Sequence, residues 1–154
     1  MKNTIHSNAQ GKGNGNRSER SQRGQSLVEA AVFVPILIML LAAAVDFGRI
    51  FDAYIVLTNA AREGARFGSV NPMIGEVQVK KVVVDDVLGS GTNITQMTDF
   101  NADDNVSLIG YASTSTAVTV TVTYDFDLWF GGIIGISNVT LDKTAVMPRW
   151  FAEE

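Results

Sequence analysis

The 154-residue chain has no cysteine and one histidine, His6. The lack of thiols excludes a disulfide framework and thiolate metal sites. A single histidine near the N-terminus leaves the rest of the chain without the residues that most nucleophilic and zinc chemistry requires. The chain also lacks a phosphate-cradling glycine loop. We therefore expect no enzyme activity, no cofactor, no bound metal and no small-molecule substrate.

Positive charge is scarce after the first residues of the chain. Residues 1–24 carry five basic residues and one acidic residue, a net charge of +4, which leaves −8 for the other 130 residues. An acidic body gains nothing from nucleic-acid phosphates, so no nucleic-acid partner is expected. Residues 1–23 also contain almost no apolar side chains, and this composition predicts a disordered basic leader over residues 1–24.

Only one long hydrophobic run is present, LVEAAVFVPILIMLLAAAV at residues 27–45, and its single charge is Glu29. A helix over this run spans about 28 Å, close to the hydrocarbon thickness of a bilayer. Basic residues before it and acidic ones after it predict a cytoplasmic N-terminus and an extracytoplasmic C-terminal part. Pro35 predicts a bend. The alternative, a buried core helix, lacks a second helix of similar apolarity to surround it.

The helical pattern continues beyond the membrane run, so that one helix is predicted from about residue 25 to residue 68. Gly68, Asn71 and Pro72 end it. Its upper part has an apolar stripe, which we expect to face a folded domain, with Asp46, Arg49, Asp52 and Asn59 on other faces. The stripe consists of Phe47, Ile50, Phe51, Tyr54, Ile55 and Thr58.

Residues 69–154 are predicted to form a small extracytoplasmic α+β domain. Residues 76–88 fit a helix, with Val77, Lys80, Lys81, Val84 and Leu88 at helical spacing. Strands are predicted at residues 106–111, 117–126 and 139–147, with a polar turn, YASTSTA, between the first two. The predicted fold is α+β and pilin-like: a long N-terminal transmembrane helix packed on a three-stranded antiparallel sheet.

Several separate motifs occur in a fixed order over residues 23–70. Together they resemble the N-terminal signature of the TadE-like family, pilin-like components of the bacterial tight-adherence pilus system. The motifs are Gly24-Gln25, Val28-Glu29, Pro35 inside the apolar run, Asp46-Phe47-Gly48-Arg49, and Asn59-Ala60-Ala61-Arg62-Glu63-Gly64-Ala65-Arg66.

This resemblance implies a processing site. In pilin-like proteins a prepilin peptidase cuts after a glycine, and a glutamate occupies the fifth mature position. A cut after Gly24 makes Gln25 the first residue and Glu29 the fifth. A carboxylate near the end of a lipid-buried helix is costly without a partner, and the new amino group of a neighbouring subunit supplies one. The alternative is an uncut chain whose Glu29 lies at the level of the lipid headgroups.

Assembly residues are implied as well. The resemblance adds Pro35, Arg62, Glu63 and Arg66 to Glu29 as candidates for contacts with other pilin-like subunits, in a homo- or hetero-oligomer. For Arg62, Glu63 and Arg66 the alternative is a solvated helix face, with ion pairs worth a few tenths of a kcal/mol.

The function indicated is structural: a pilin-like subunit or minor pseudopilin in the membrane, or in a surface filament, of a tight-adherence type apparatus. An exported soluble domain is the first alternative, with Ala42-Ala43-Ala44 as a signal-peptidase site that leaves Val45 as the first residue. A membrane-anchored binding or adhesion domain is the second, acting through residues 93–105.

An acidic stretch at residues 99–105 resembles the start of a calcium loop. Asp104 stands where the loop requires glycine, and Gly110 stands where it requires the closing glutamate. A solvated acidic loop fits the sequence better than a calcium site.

Overall fold

The computed structural model describes residues 15–90, 97, 99–109 and 116–149. The chain divides into two compact units, Met1–Leu41 and Ala42–Glu154. Each unit is built around part of the first helix.

Helix α1 spans Gly15–Val70 and includes Pro35 without interruption. It begins ten residues before the boundary that the sequence predicts, inside the segment expected to be a disordered leader. Extending an existing helix adds one hydrogen bond for each residue fixed, and residues 15–24 contain no proline to stop it. Residues 1–14 of the predicted leader lie outside the described residues.

The described part of the first unit is bare helix. Every residue from Gly24 to Leu41 is exposed, and Leu27, Phe33 and Leu40 are 71%, 63% and 63% exposed. Only 6% of the most apolar 18-residue window is buried. Among the described residues, α1 is the one helix long and apolar enough to cross a membrane, by length and composition. Its exposure distinguishes it from the core helix of a soluble domain.

The second unit contains the end of α1, two further helices, three strands and a 3₁₀ turn. These elements are α2 (Glu76–Ser90), α3 (Ala102–Asn105), β1 (Val106–Ile109), β2 (Ala117–Asp127), the 3₁₀ turn (Gly131–Ile134) and β3 (Asn138–Pro148).

The three strands form one antiparallel sheet in the order β1-β2-β3. Val106 is opposite Val122 in the first pair, and Ala117 is opposite Pro148 in the second. The predicted α+β fold with a three-stranded antiparallel sheet is thus confirmed. Residues 110–115, which hold the end of the first predicted strand and most of the predicted turn, lie outside the described residues.

Most of the side chains that the sheet places in the core come from strand β2. Its valines alternate with threonines, and successive side chains of a strand point to opposite faces. One face is therefore apolar and the other is lined by hydroxyl groups. The buried residues of β2 are Val118, Val120, Val122, Tyr124 and Phe126.

Most of the predicted inner stripe of α1 is exposed, although Ile50 is half-buried against the core and Lys143 of β3 lies over the ring of Tyr54. Phe47, Phe51, Tyr54 and Ile55 are 69%, 56%, 44% and 44% exposed. The buried face consists instead of Ala53, Val56, Leu57, Ala60, Ala61, Gly64 and Ala65. Small side chains let the helix backbone approach its neighbours closely, whereas a row of aromatic rings would hold it away. The predicted stripe and the buried face both recur at helical spacing. The prediction chose the stripe because its larger side chains are more hydrophobic.

Helix α2 is confirmed, and the sequence pattern did not indicate which of its sides is buried. Val77 and Leu88 are 75% and 52% exposed, whereas Val79, Val83 and Val87 are buried. The run EVQVKKVVVDDVL contains two sets of apolar residues at helical spacing. Periodicity alone does not distinguish them, and only docking against α1 and the sheet buries one.

Candidate functional site

The predicted processing and assembly residues near the start of α1 are exposed. Gln25 and Glu29 lie one turn apart and line one shallow depression along the helix, together with Val28, Val32, Phe33 and Ile36. At Gly24 a Cβ atom would meet nothing within 4 Å.

Pro35 lies ten residues beyond Gln25, inside the exposed run. Helix α1 continues on both sides of it. The bend expected from its missing N–H stays a prediction, as do the roles of Gly24, Gln25, Glu29 and Pro35 in processing and assembly.

Two of the three charged residues near the end of α1 form an ion pair. Arg66 donates from Nη2 and Nε to the two carboxylate oxygens of Glu63, at 2.6 and 2.9 Å. The side chains of Arg66 and Glu63 are 60% and 38% exposed, so water screens their attraction. Arg62 is also exposed. This pairing matches the solvated-face interpretation, and contact with a neighbouring subunit stays a prediction.

Glu63 also affects a carboxyl group on α2. Partial burial, together with the nearby negative charge of Glu63, raises the pKa of Asp86 above its ordinary value. Both effects disfavour the charged form of Asp86.

A buried ion pair lies where α1 leaves the apolar run. Asp46 and Arg49 are only 6% and 5% exposed, and Arg49 Nη1 donates to Asp46 Oδ1 at 3.3 Å. The two carboxylate oxygens of Asp46 accept the backbone N–H groups of Trp129 and Phe130, at 3.0 and 2.8 Å. The carboxylate thus has three donors, which offset the cost of removing it from water.

The guanidinium of Arg49 completes this contact. Its Nη1 also donates to the carbonyl oxygen of Asp127 at 3.4 Å, and its Cζ lies 3.9 Å from the ring centre of Trp129 and 4.8 Å from that of Phe126. Its Nε has no hydrogen-bond partner. The ion pair fastens α1 to the end of β2 through hydrogen bonds and stacking on aromatic faces. We call Asp46 and Arg49 the buried anchor.

Sequence reasoning missed the buried anchor as a site. It placed both residues on faces pointing away from the domain, because single charged residues on a helix usually face water. The signal was present: opposite charges at i and i+3 directly follow an apolar run and belong to one of the motifs of the resemblance. With their partners on β2 and the following turn 78 to 84 residues away, local patterns do not reveal their burial.

The acidic stretch at residues 99–105 serves the fold. The Asn101 side chain accepts the N–H groups of Asp103 and Asp104 and so caps α3. Tyr124 Oη donates to Asp99 Oδ1 at 2.6 Å. Burial and this carboxylate raise the pKa of Tyr124 above its ordinary value. Asn105 Nδ2 donates to the Thr123 carbonyl at 2.9 Å. These polar groups therefore have structural roles.

The architecture defines the class: one long exposed apolar helix whose upper part packs on a small α+β domain. Residues 24–66 match the model of the family described as TadE-like protein. The match confirms the resemblance over 43 of the 154 residues, from the glycine of the predicted processing site to Arg66. No curated protein and no solved structure gives a significant match.

Proposed function

We propose that the protein is a structural, pilin-like subunit that takes part in assembling a tight-adherence type pilus or secretion apparatus. The observation that carries this proposal is the bare helix at residues 24–41, where large apolar side chains are exposed along its whole circumference. Such a surface requires lipid or other helices around it. The family match over residues 24–66 supports the same role.

Helix α1 would span the cytoplasmic membrane once, with its N-terminus in the cytoplasm and the small domain outside. The basic residues of the leader and the acidic body support this orientation. Neighbouring subunits, identical or different, would pack laterally against the exposed helix. Packing between helices in lipid needs close apolar contact and partners for each polar group.

Glu29 is the polar group whose partner matters most to assembly. It lies on the same face as Gln25, one turn further along the helix. After a cut between Gly24 and Gln25, the new amino group of a neighbour would neutralise its carboxylate. One such contact for each subunit would set the stagger between adjacent helices.

The mature N-terminus tests this mechanism first. Protein recovered from its native membrane fraction is measured by intact-mass and terminal-peptide mass spectrometry. A start at Gln25 supports prepilin-type processing. A start at Val45 contradicts the proposal and favours an exported soluble domain, and an intact leader favours a static membrane anchor for a binding domain.

Two glycines provide a matched test of the processing site. Gly24 and Gly48 both lie in α1, and neither would bring a Cβ atom within 4 Å of another group. Gly24→Val is expected to leave the leader attached, whereas Gly48→Val is expected to leave processing unchanged. Equal processing of both variants would contradict a peptidase site at Gly24.

Lateral assembly is tested separately at Glu29. Glu29→Gln removes the charge but keeps the shape of the side chain. Cleavage after Gly24 should therefore continue, while chemical crosslinks between the α1 helices of neighbouring subunits are lost. Asp85→Asn, at an exposed position on α2, is the control. Crosslinking that survives Glu29→Gln would contradict the assigned role of Glu29.

A further inference from the structure

The segment that follows β2 has an unusual surface. Residues 128–137, LWFGGIIGIS, contain no charged side chain, and we call them the apolar loop. Four large apolar residues of this loop are exposed: Trp129 (55%), Phe130 (39%), Ile133 (66%) and Ile136 (50%). So many exposed apolar side chains within eight positions mark a surface that meets something other than water.

The buried anchor fixes the position of the apolar loop along α1. The N–H groups of Trp129 and Phe130 bind the carboxylate of Asp46, at 3.0 and 2.8 Å. Asp46 is the first residue after the apolar run, which ends at Val45. The start of the loop, at Trp129 and Phe130, is therefore held within about one helical turn, some 5 Å, of the point where the run ends.

Six backbone N–H groups of the apolar loop have acceptors within the protein. The N–H groups of Trp129 and Phe130 are bound to Asp46, and four others bind carbonyl groups of the loop itself. These are Leu128 to Ser137 (2.9 Å), Ile133 to Phe130 (3.0 Å), Ile136 to Gly131 (3.0 Å) and Gly135 to Gly132 (3.4 Å). Groups paired in this way do not have to be solvated, which lowers the cost of contact with lipid.

Two glycines make this compact loop possible. Gly135 has a φ of 82°, in the left-handed region that favours glycine. At Gly131 a Cβ atom would collide with the carbonyl oxygen of Ile136 and with the side chain of Leu128. The turn therefore closes on itself, with Ile133 and Ile136 exposed.

We infer that the apolar loop is a second membrane contact, which inserts into the interfacial layer of the bilayer that α1 crosses. The inference rests on the proposed function, because it requires α1 to span the membrane. Tryptophan is the residue type enriched where hydrocarbon meets headgroups. The charges nearest the loop on α1 are neutralised within the buried anchor. The domain would thereby be held against the membrane at two points.

Spin labels test the position of the loop in the full chain. Because the chain has no cysteine, Ile133→Cys, Val146→Cys and Leu37→Cys each provide one labelling site. Val146 is the matched control: an exposed apolar residue on β3, eight positions beyond Asn138 and so about 27 Å along the strand. Leu37 reports on the apolar run itself.

The labelled proteins are reconstituted into vesicles of phosphatidylcholine and phosphatidylglycerol. Collisions of each label with oxygen, which concentrates in lipid, and with a water-soluble nickel chelate are measured by electron paramagnetic resonance. The expected ratio of oxygen to nickel collisions at Ile133 is several times that at Val146 and below that at Leu37. This order would place Ile133 in the interfacial layer.

Other outcomes separate the possible failures. A ratio at Ile133 equal to that at Val146, with Leu37 in lipid, overturns the loop contact but leaves the proposed function standing. A Leu37 label that collides mainly with the nickel chelate would show that the apolar run lies in water, which contradicts the proposed function itself. If the Ile133 label is protected from both reagents only at high protein-to-lipid ratios, a second copy covers the loop and the inference fails.

Discussion

Two stretches of helix α1 differ in how far their side chains are buried. Residues 24–41 are the most apolar part of the chain, and all of them are exposed. Residues 42–70 are more polar, yet they bury alanines, a glycine and the anchor pair Asp46–Arg49. Apolar character therefore does not predict burial along this helix. Burial depends on which surfaces of the same chain are available, and only the upper stretch has a sheet and α2 beside it.

The comparison also shows how the two stretches meet their surroundings. In the proposed membrane setting, large side chains such as Leu27 and Phe33 would face fluid lipid tails, which need no exact fit. The upper stretch must fit a fixed surface of valines, and small residues meet this requirement better. The side chains that suit the two stretches of α1 thus differ in size, and the change occurs near Asp46.

Removal of Asp46 is expected to have the largest effect on stability. Asp46→Ala leaves the buried guanidinium of Arg49 without its carboxylate and the N–H groups of Trp129 and Phe130 without an acceptor. The expected loss in free energy of unfolding is about 3 to 5 kcal/mol. Reversible denaturation in detergent micelles, followed by circular dichroism, measures it. Asp85→Asn is the control, and a loss no larger than in that control would show that the anchor does not hold the domain.

Substitutions of Leu57 and Phe51 test which face of α1 is buried. Leu57 is fully buried and Phe51 is 56% exposed. Leu57→Ala should cost about 2 to 5 kcal/mol, because it leaves a cavity. Phe51→Ala should change the free energy of unfolding by less than about 0.5 kcal/mol. The reverse order would restore the aromatic stripe as the inner face.

Glycine substitutions test whether close approach is required in the upper stretch. A Cβ at Gly64 would collide with the side chain of Val83, so Gly64→Ala should destabilise the domain by about 1 to 3 kcal/mol. At Gly48 the space is open, and Gly48→Ala should stabilise it by about 0.5 to 1 kcal/mol through higher helix propensity. Denaturation under identical detergent conditions compares the two. Equal shifts would mean that helix propensity alone acts at both positions.

The smallest effect is expected from the exposed ion pair. Glu63–Arg66 has the same i, i+3 spacing as Asp46–Arg49, but its side chains are largely in water. Arg66→Gln should therefore lower the free energy of unfolding less than any of the destabilising changes above, and 1 M salt should remove most of the difference. A loss comparable to that of Asp46→Ala would contradict the claim that burial separates the two pairs.

Much of the fold followed from local patterns. The length of the apolar run, the helix that continues past it, and the strict Val/Thr alternation of β2 each depend on neighbouring residues only. The resemblance over residues 24–66 was likewise readable from short motifs. The error was one of face, because most of the predicted stripe on α1 is exposed. A periodic pattern identifies a helix, but where two patterns overlap it does not identify the buried side.

The sequence by itself determined that the chain has one membrane-length helix, a basic start, an acidic body and a small antiparallel sheet, because hydropathy, charge and alternation are local properties. Only the tertiary structure decided that Asp46 and Arg49 are buried and that alanines and Gly64 form the inner face. It also decided that the apolar loop lies beside the end of the apolar run. Each of these depends on contacts between residues far apart in the chain, where space and hydrogen-bond partners, rather than hydropathy, select what is buried.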